Sequence, residues 1–305
     1  MAEPIGHGGD DGRGVTWAEL AVETGERLAV SSDPVVSARA DWQGRLLAMR
    51  AAGAEPDDWH ELSKEFATVR GVASLDAMTA RRLAGEPLQY VLGEWGFRYL
   101  ELFVDKRVLI PRPETEIVAS AALDEVVRLE PRGAGVVAVD LGTGSGAIGL
   151  SLAYELDGVE VWLTDVSTEA LQVARANLAG IGRAGGRVRV AEGSWFEALP
   201  AELVGTLGLI VSNPPYVADG DRLPDEVADW EPVRALFGGP AGTDHLELLI
   251  AEAPRWLRAD GALVLEMSPD QTDPMADEAR RLFHEVEIRP DLTERARAVV
   301  ARHPR

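Results

Sequence analysis

The chain has 305 residues, of which 46% are hydrophobic, enough to bury a sizeable core and too many for wholesale disorder. Fifty-one Asp and Glu against 30 Lys and Arg give a formal net charge of −21, which argues against a broad basic face for duplex nucleic acid. The absence of cysteine excludes disulfides, thiolate metal sites and Cys nucleophiles. The five histidines (His7, His60, His245, His284 and His303) are scattered without helical metal-ligand spacing, so no metal is expected.

Residues 1–14 are rich in Gly and Asp and lack periodicity, which predicts a disordered tail. The apolar pattern becomes helical from Thr16 to about Gly93. It predicts helices over Trp17–Val30, Val35–Arg50, Asp58–Val69 and Ser74–Ala84, the second opened by Asp33 as cap and Pro34 at the first helical position. Short loops between them suggest a small bundle over residues 15–93, which carries no catalytic constellation and suits a docking or scaffold role. Phe97–Val104 and Lys106–Ile110 read as a hairpin around Asp105. With the proline-stiffened connector Pro111-Arg112-Pro113, they fill residues 94–113 between two domains. A helix then covers Glu116–Leu129.

The remainder, residues 114–305, alternates apolar strands with amphipathic helices. Strands are expected at Val136–Asp140, Val159–Asp165, Arg187–Ala191, Leu207–Ser212 and Ala262–Met267, with helices at Ala147–Tyr154, Ser167–Leu178 and His245–Leu257. That alternation predicts an α/β fold, a parallel sheet covered on both faces, with ligands at the strand C-terminal ends. Two late strands, Glu285–Arg289 and Ala296–Ala301, close the sheet as an antiparallel pair. No signal-like segment or run of about 18 apolar residues occurs, so the expected location is cytoplasmic, with no membrane partner.

Two strand ends carry chemistry. Asp140-Leu141-Gly142-Thr143-Gly144-Ser145-Gly146 follows one strand and opens a helix, a place where glycine permits positive φ and close approach of a ligand to the backbone. Asp165 ends the next strand, where a carboxylate can accept both hydroxyls of an adenosine ribose or serve the following helix as a cap. Trp195, after the third strand, fits either an adenine edge or a core. The other chemical stretch is Leu207–Tyr216. Its apolar strand runs into Asn213-Pro214-Pro215-Tyr216, and the two prolines stop the ladder and stiffen the corner. Such a corner suits a planar amino or amide group, with Asn213, Pro214 and Tyr216 as catalytic candidates and Pro215 beside them in substrate binding. The competing reading is a plain turn, since Asn and Pro are common turn residues.

Together, DLGTGSG at 140–146, Asp165 and NPPY at 213–216 resemble the class I S-adenosylmethionine-dependent methyltransferases. Gly85–Tyr90 (GEPLQY), Val108–Glu116 (VLIPRPETE), Gly193–Phe196, Glu231-Pro232 and Ala235-Leu236 narrow the resemblance to the PrmC (HemK) family. The resemblance implies a Rossmann-like sheet of seven strands behind an N-terminal helical bundle. It implies transfer of a methyl group from S-adenosylmethionine, leaving S-adenosylhomocysteine, to the glutamine amide nitrogen of the GGQ motif in class-1 peptide chain release factors. Asp140, Gly142, Thr143, Gly144, Ser145, Gly146, Asp165, Trp195 and Asn213 would then hold the cofactor. A monomer without a stable nucleic-acid partner is expected. A ribosomal-protein glutamine is the alternative substrate. A DNA or RNA base amino group is a further one, against which the acidity and the lack of a basic run count. Two departures stand out: Ser194 occupies a position where the family usually has an acid, and Glu266-Met267-Ser268 replaces the usual Glu-His-Gly.

Overall fold

A computed structural model describes residues 14–305, apart from Pro56 and Arg132, so most of the predicted tail lies outside the described residues. The chain forms two compact units.

One unit contains the residues up to Gly93 and, from much later in the chain, Asp225–Trp230. Its helices are α1 (Trp17–Ala29), α2 (Pro34–Ser37), α3 (Ala40–Ala52), α4 (Trp59–Leu62), α5 (Val69–Leu83) and α6 (Leu88–Leu92), with α10 (Asp225–Trp230) grouped among them. Thr16 and Glu19 form a reciprocal capping box that starts α1. Leu20, Leu28, Leu47, Leu75 and Val91 lie in its core.

Two sequence expectations need correction here. The helix expected over 35–50 is broken at Ala38-Arg39, where Arg39 has φ 51°. Gln43 holds the break by donating to the carbonyls of Val35, Val36 and Ala38. The helix expected over 58–69 shrinks to α4, because Thr68 caps a new helix with its side chain. That new helix, α5, therefore starts five residues before the predicted Ser74.

A buried cation organises this unit. Arg82, 2% exposed, donates from Nε to Gln43 Oε1 at 2.7 Å, from Nη1 to Glu226 at 2.8 Å and from Nη2 to the Val35 carbonyl at 3.1 Å.

The second unit contains the sheet. Its elements are β1 (Glu94–Phe97), β2 (Leu100–Phe103), α7 (Pro113–Leu129), β3 (Val137–Leu141), α8 (Ala147–Glu155), β4 (Glu160–Asp165), α9 (Thr168–Gly180), β5 (Val188–Glu192), β6 (Leu207–Ser212), α11 (Asp244–Trp256), β7 (Leu257–Glu266), α12 (Pro269–Leu282), β8 (Phe283–Pro290) and β9 (Ala296–Pro304). Seven strands pair in the order β5-β4-β3-β6-β7-β9-β8. The first five are parallel, and β9 runs antiparallel to both β7 and β8. This is a Rossmann-like sheet of seven strands, as expected from the sequence, with its closing antiparallel pair at the edge. β6 is buried along its whole length, as its unbroken apolar run requires.

The predicted hairpin around Asp105 is wrong in register. The observed pair is β1–β2, turning at Arg98-Tyr99, where Arg98 adopts φ 53°. The Arg98 guanidinium is held by Glu155 and Ser120. Residues 106–110 form no strand: Val108 and Ile110 are apolar because they are buried in an irregular segment.

Replacing Arg82 with Met should destabilise the protein by about 3 kcal/mol, because Gln43 Oε1 and the partly buried Glu226 carboxylate would lose their shared partner. Urea unfolding should register this as a lower midpoint with an unchanged slope.

Candidate active site

Strand order reverses between β3 and β6, which are neighbours although β4 and β5 intervene in sequence. The C-terminal ends of such a pair open the crevice where doubly wound sheets bind ligands. Here the two ends are joined directly, the Ser212 hydroxyl donating to the Leu141 carbonyl at 2.6 Å. The parallel β3–β6 ladder therefore sets the glycine turn and the Asn-Pro-Pro-Tyr bend side by side, and this bond extends the pairing to the switch point.

On the β3 side, Gly142, Gly144 and Gly146 have φ of 71°, 56° and 88°, the left-handed region in which a Cβ is disfavoured. Asp140, 1% exposed, stays inside the turn: its Oδ2 accepts from the Thr143 hydroxyl at 2.6 Å and from Gly149 N at 2.9 Å. Burial pushes its carboxyl up to about 6, against the pull of those two hydrogen bonds. Asp140 thus braces the turn from within, and it also borders the cavity that opens over it. Asp165 at the end of β4 accepts from Gly144 N at 3.0 Å and Ser167 N at 2.8 Å, and burial raises its carboxyl. The helix cap itself is Ser167, whose hydroxyl accepts from Ala170 N. Backbone N–H groups thus occupy only part of the carboxylate's acceptor capacity, which leaves room for a ligand.

A cavity of about 480 Å³ opens over this turn, lined by Gly142, Thr143, Gly144, Ser145, Asp165 and Trp195, among others. Trp195 has φ 47°, and its ring lies 3.3 Å from where a Cβ on Gly142 would stand. Its ring centroid is 5.1 Å from that of His245, which also borders the cavity. Ser194 is on the cavity wall.

On the β6 side, Asn213 and Pro215 border the same cavity, Pro214 is buried, and Tyr216 borders a second cavity, of about 420 Å³, rather than this one. Asn213 Nδ2 donates to Thr115 Oγ1 at 3.2 Å. Among the described residues none donates to Asn213 Oδ1 or to the Pro214 carbonyl. The Tyr216 hydroxyl points to Glu266 Oε1 at 3.4 Å, and burial, the largest effect, raises its pKa further out of the physiological range.

Several residues of the site have structural roles that the sequence alone does not assign. Glu231, 4% exposed, accepts from Ile110 N at 3.1 Å and from Arg112. It pins the irregular 106–112 segment as one wall of the cavity and takes the guanidinium that the sequence left unassigned. Arg234 also lines the cavity, and its charge acts on Asp165 to favour the ionised form. Glu114 and Glu116 lie in the first turn of α7, Glu116 accepting from Arg98 N at 3.2 Å, as helix N-terminal acids. The wall residues escaped notice because each is paired with a residue more than a hundred positions away or is identified only by the cavity it faces. Among the described residues no His, Asp or Glu cluster is arranged to hold a metal ion.

A glycine cradle, a carboxylate at the next strand end and an aromatic beside them fit an adenosine-containing cofactor, and the sheet that carries them is that of the class I methyltransferases. Comparison with known proteins makes the assignment narrower. Residues 118–229 match the family model "Methyltransferase small domain". The chain is 43% identical over 224 residues to the release factor glutamine methyltransferase of Deinococcus radiodurans, covering 73% of this chain and 76% of the relative. It is 38% identical over 251 residues to that of Bifidobacterium longum, covering 77% and 83%. The chain belongs to the release factor glutamine methyltransferase family. Among solved structures, the hMettl16 catalytic domain in complex with the MAT2A 3′UTR hairpin 6 superposes with a TM-score of 0.50 at 14% identity, over 82% of this chain and 90% of that one. That likeness concerns the fold.

Glu231→Ala should cost about 3 kcal/mol, since it strips a buried carboxylate from Ile110 N and Arg112. Hydrogen exchange should then speed up at the Ile110 amide while β3 and β6 stay protected.

Proposed function

We propose that this enzyme methylates the side-chain amide nitrogen of the GGQ glutamine of class-1 release factors, and that Asn213 and the Pro214 carbonyl together receive the two amide hydrogens. S-adenosylmethionine, bound over the glycine turn by Gly142, Thr143, Gly144, Ser145, Gly146, Asp165 and Trp195, supplies the methyl group as an electrophilic sulfonium. The chain must therefore act on the acceptor. An amide lone pair is delocalised into its carbonyl; the peptide rotation barrier of about 18–20 kcal/mol measures how firmly. Two oxygen acceptors fixed out of the amide plane favour a nitrogen becoming tetrahedral and positive, which is preorganised electrostatic stabilisation. A protonated, methylated amide is strongly acidic, so no strong base is required. Tyr216 packs beside the bend and offers an aromatic face to the developing cation.

The observation that carries this reading is the pairing of Asn213 at the cavity wall with an Oδ1 that no described residue engages. The helical unit, residues 15–93, would provide docking surface for a protein substrate whose reactive loop alone is too small to be recognised tightly. The working location is the cytoplasm, and the enzyme acts as a monomer. Among the described residues no helix is long and apolar enough to cross a membrane.

Incubating release factor with enzyme and S-adenosylmethionine should add one methylene mass to the GGQ glutamine, located by peptide mass spectrometry. Modification of a ribosomal protein instead would redirect the assignment. Asn213→Ala should lower kcat by about 10²–10³ if it resembles loss of one preorganised donor or acceptor elsewhere. Gly142→Ala should instead weaken S-adenosylmethionine binding about tenfold, through left-handed strain and contact with Trp195. Calorimetry with the cofactor separates the two effects.

A further inference from the structure

The two prolines stiffen the bend only as far as Pro215. Each fixes its own φ and restricts the residue before it, so Asn213, Pro214 and Pro215 are constrained and Tyr216, which precedes Val217, is not. The Tyr216 hydroxyl meets Glu266 Oε1 at 3.4 Å, longer than the ~2.7–2.8 Å usual for such a bond. The firm hold on this residue is at its backbone. Gln271, in the first turn of α12 and 7% exposed, donates from Nε2 to the Tyr216 carbonyl at 2.9 Å. The same nitrogen reaches the carbonyls of Gly242 at 3.2 Å and Ala241 at 3.3 Å, while Oε1 accepts from Ser268 N at 3.2 Å.

These partners fix the orientation of the Gln271 carboxamide: only its NH₂ can meet three carbonyls, and only its oxygen can meet an N–H. They also pin a whole peptide plane. The Tyr216–Val217 peptide is held at one edge by Gln271 and at the other by its own N–H, which donates to the Leu236 carbonyl at 2.9 Å. Gly238 N in turn donates to the Val217 carbonyl at 2.9 Å. Residues 236–242 lie against the bend closely enough to require glycine. A Cβ on Gly238 would stand 2.4 Å from the Pro215 carbonyl oxygen. One on Gly242 would stand 2.3 Å from that of Tyr216 and 2.8 Å from Gln271 Nε2.

We propose that Gln271 is a positioning residue for methyl transfer: by binding the carbonyls of Tyr216, Ala241 and Gly242 at once, its side chain sets the backbone of Tyr216 and thereby the place of the Tyr216 ring beside the acceptor nitrogen. This rests on the reading of the bend as the acceptor site. The prolines hold Asn213 and the Pro214 carbonyl, and Gln271 holds the residue that follows them. Loss of its NH₂ would leave the Tyr216 carbonyl without its side-chain donor and the turn of the peptide plane to the Leu236 contact alone. Tyr216 and Gln271 border the second cavity and not the one over the glycine turn, so cofactor binding should not depend on this contact.

Steady-state methyl transfer from S-adenosylmethionine to release factor tests the inference, with Gln271→Met keeping the length of the side chain and removing its donors. A small displacement of a reacting group costs rate steeply, so kcat should fall about tenfold or more. The KM for release factor and the calorimetric Kd for S-adenosylmethionine should stay as in wild type. Hydrogen exchange should quicken at the Val217 amide while the amides of β6 stay protected. In a Tyr216→Ala background, Gln271→Met should lower kcat no further. A wild-type kcat in folded Gln271→Met would overturn the proposal, as would an undiminished effect in the Tyr216→Ala background. If Gln271→Met does not fold, Gly242→Ala decides, since its Cβ intrudes on the same contact: a lowered kcat with unchanged cofactor affinity supports the role, and a wild-type kcat overturns it. Full activity in Asn213→Ala would reject the underlying reading of the bend. A crippled Asn213→Ala beside fully active Gln271→Met would reject only the positioning role.

Discussion

The bond from the Ser212 hydroxyl to the Leu141 carbonyl fixes the geometry on which this site depends. It lies where β3 and β6 lie side by side and where each strand must stop. β3 stops because Gly142 takes a left-handed conformation that no ladder can continue. β6 stops because Pro214 and Pro215 offer no N–H. Two unrelated terminators thus act in adjacent strands at the same level of the sheet. The donor turn and the acceptor bend inherit their spacing from the 4.7–4.9 Å between strands rather than from any loop. A site built on strand ends in this way is rigid without needing a closed lid.

The electrostatics of the unit follow from the same burial. Asp140 and Glu266 end neighbouring parts of the sheet, each about 1% exposed, and each is raised by loss of water. They differ in what surrounds them. Asp140 is satisfied locally, by the Thr143 hydroxyl and the Gly149 N–H of the turn it organises. Glu266 is satisfied only in part, by the Tyr216 hydroxyl facing its Oε1, and its Oε2 has no partner among the described residues. A buried acid without full partners is costly to fold.

How much of this was legible in the sequence depended on how local the cause was. The glycine turn, Asp165, the end of β6 and the antiparallel closing strands were all readable, because each is set by residues within the element or adjoining it. The break at Arg39 was not, because Gln43 rather than a proline or glycine enforces it, nor was the turn at Arg98, whose positive φ is held by Glu155 and Ser120 from distant helices. Residues 106–110 misled for the opposite reason. Val108 and Ile110 have the alternation of a strand, but the Ile110 amide goes to the Glu231 carboxylate instead of a neighbouring ladder. Apolar periodicity reports burial, and burial does not require a strand. Glu266 stood out only as part of a departure from the family pattern, because an acid after an apolar run reads equally as a solvated strand end.

A carboxamide that binds another carboxamide faces a particular difficulty. Its oxygen and its NH₂ are nearly the same size, so packing alone cannot distinguish a receptive orientation from a repulsive one. Proline can stiffen the backbone around Asn213 but cannot choose between its two faces. Only a neighbouring polar group can, and at this wall it is Thr115, whose Oγ1 accepts from Asn213 Nδ2. With Nδ2 engaged there, Oδ1 is the atom of Asn213 that no described residue meets, the proline corner providing position and the Thr115 hydroxyl providing direction.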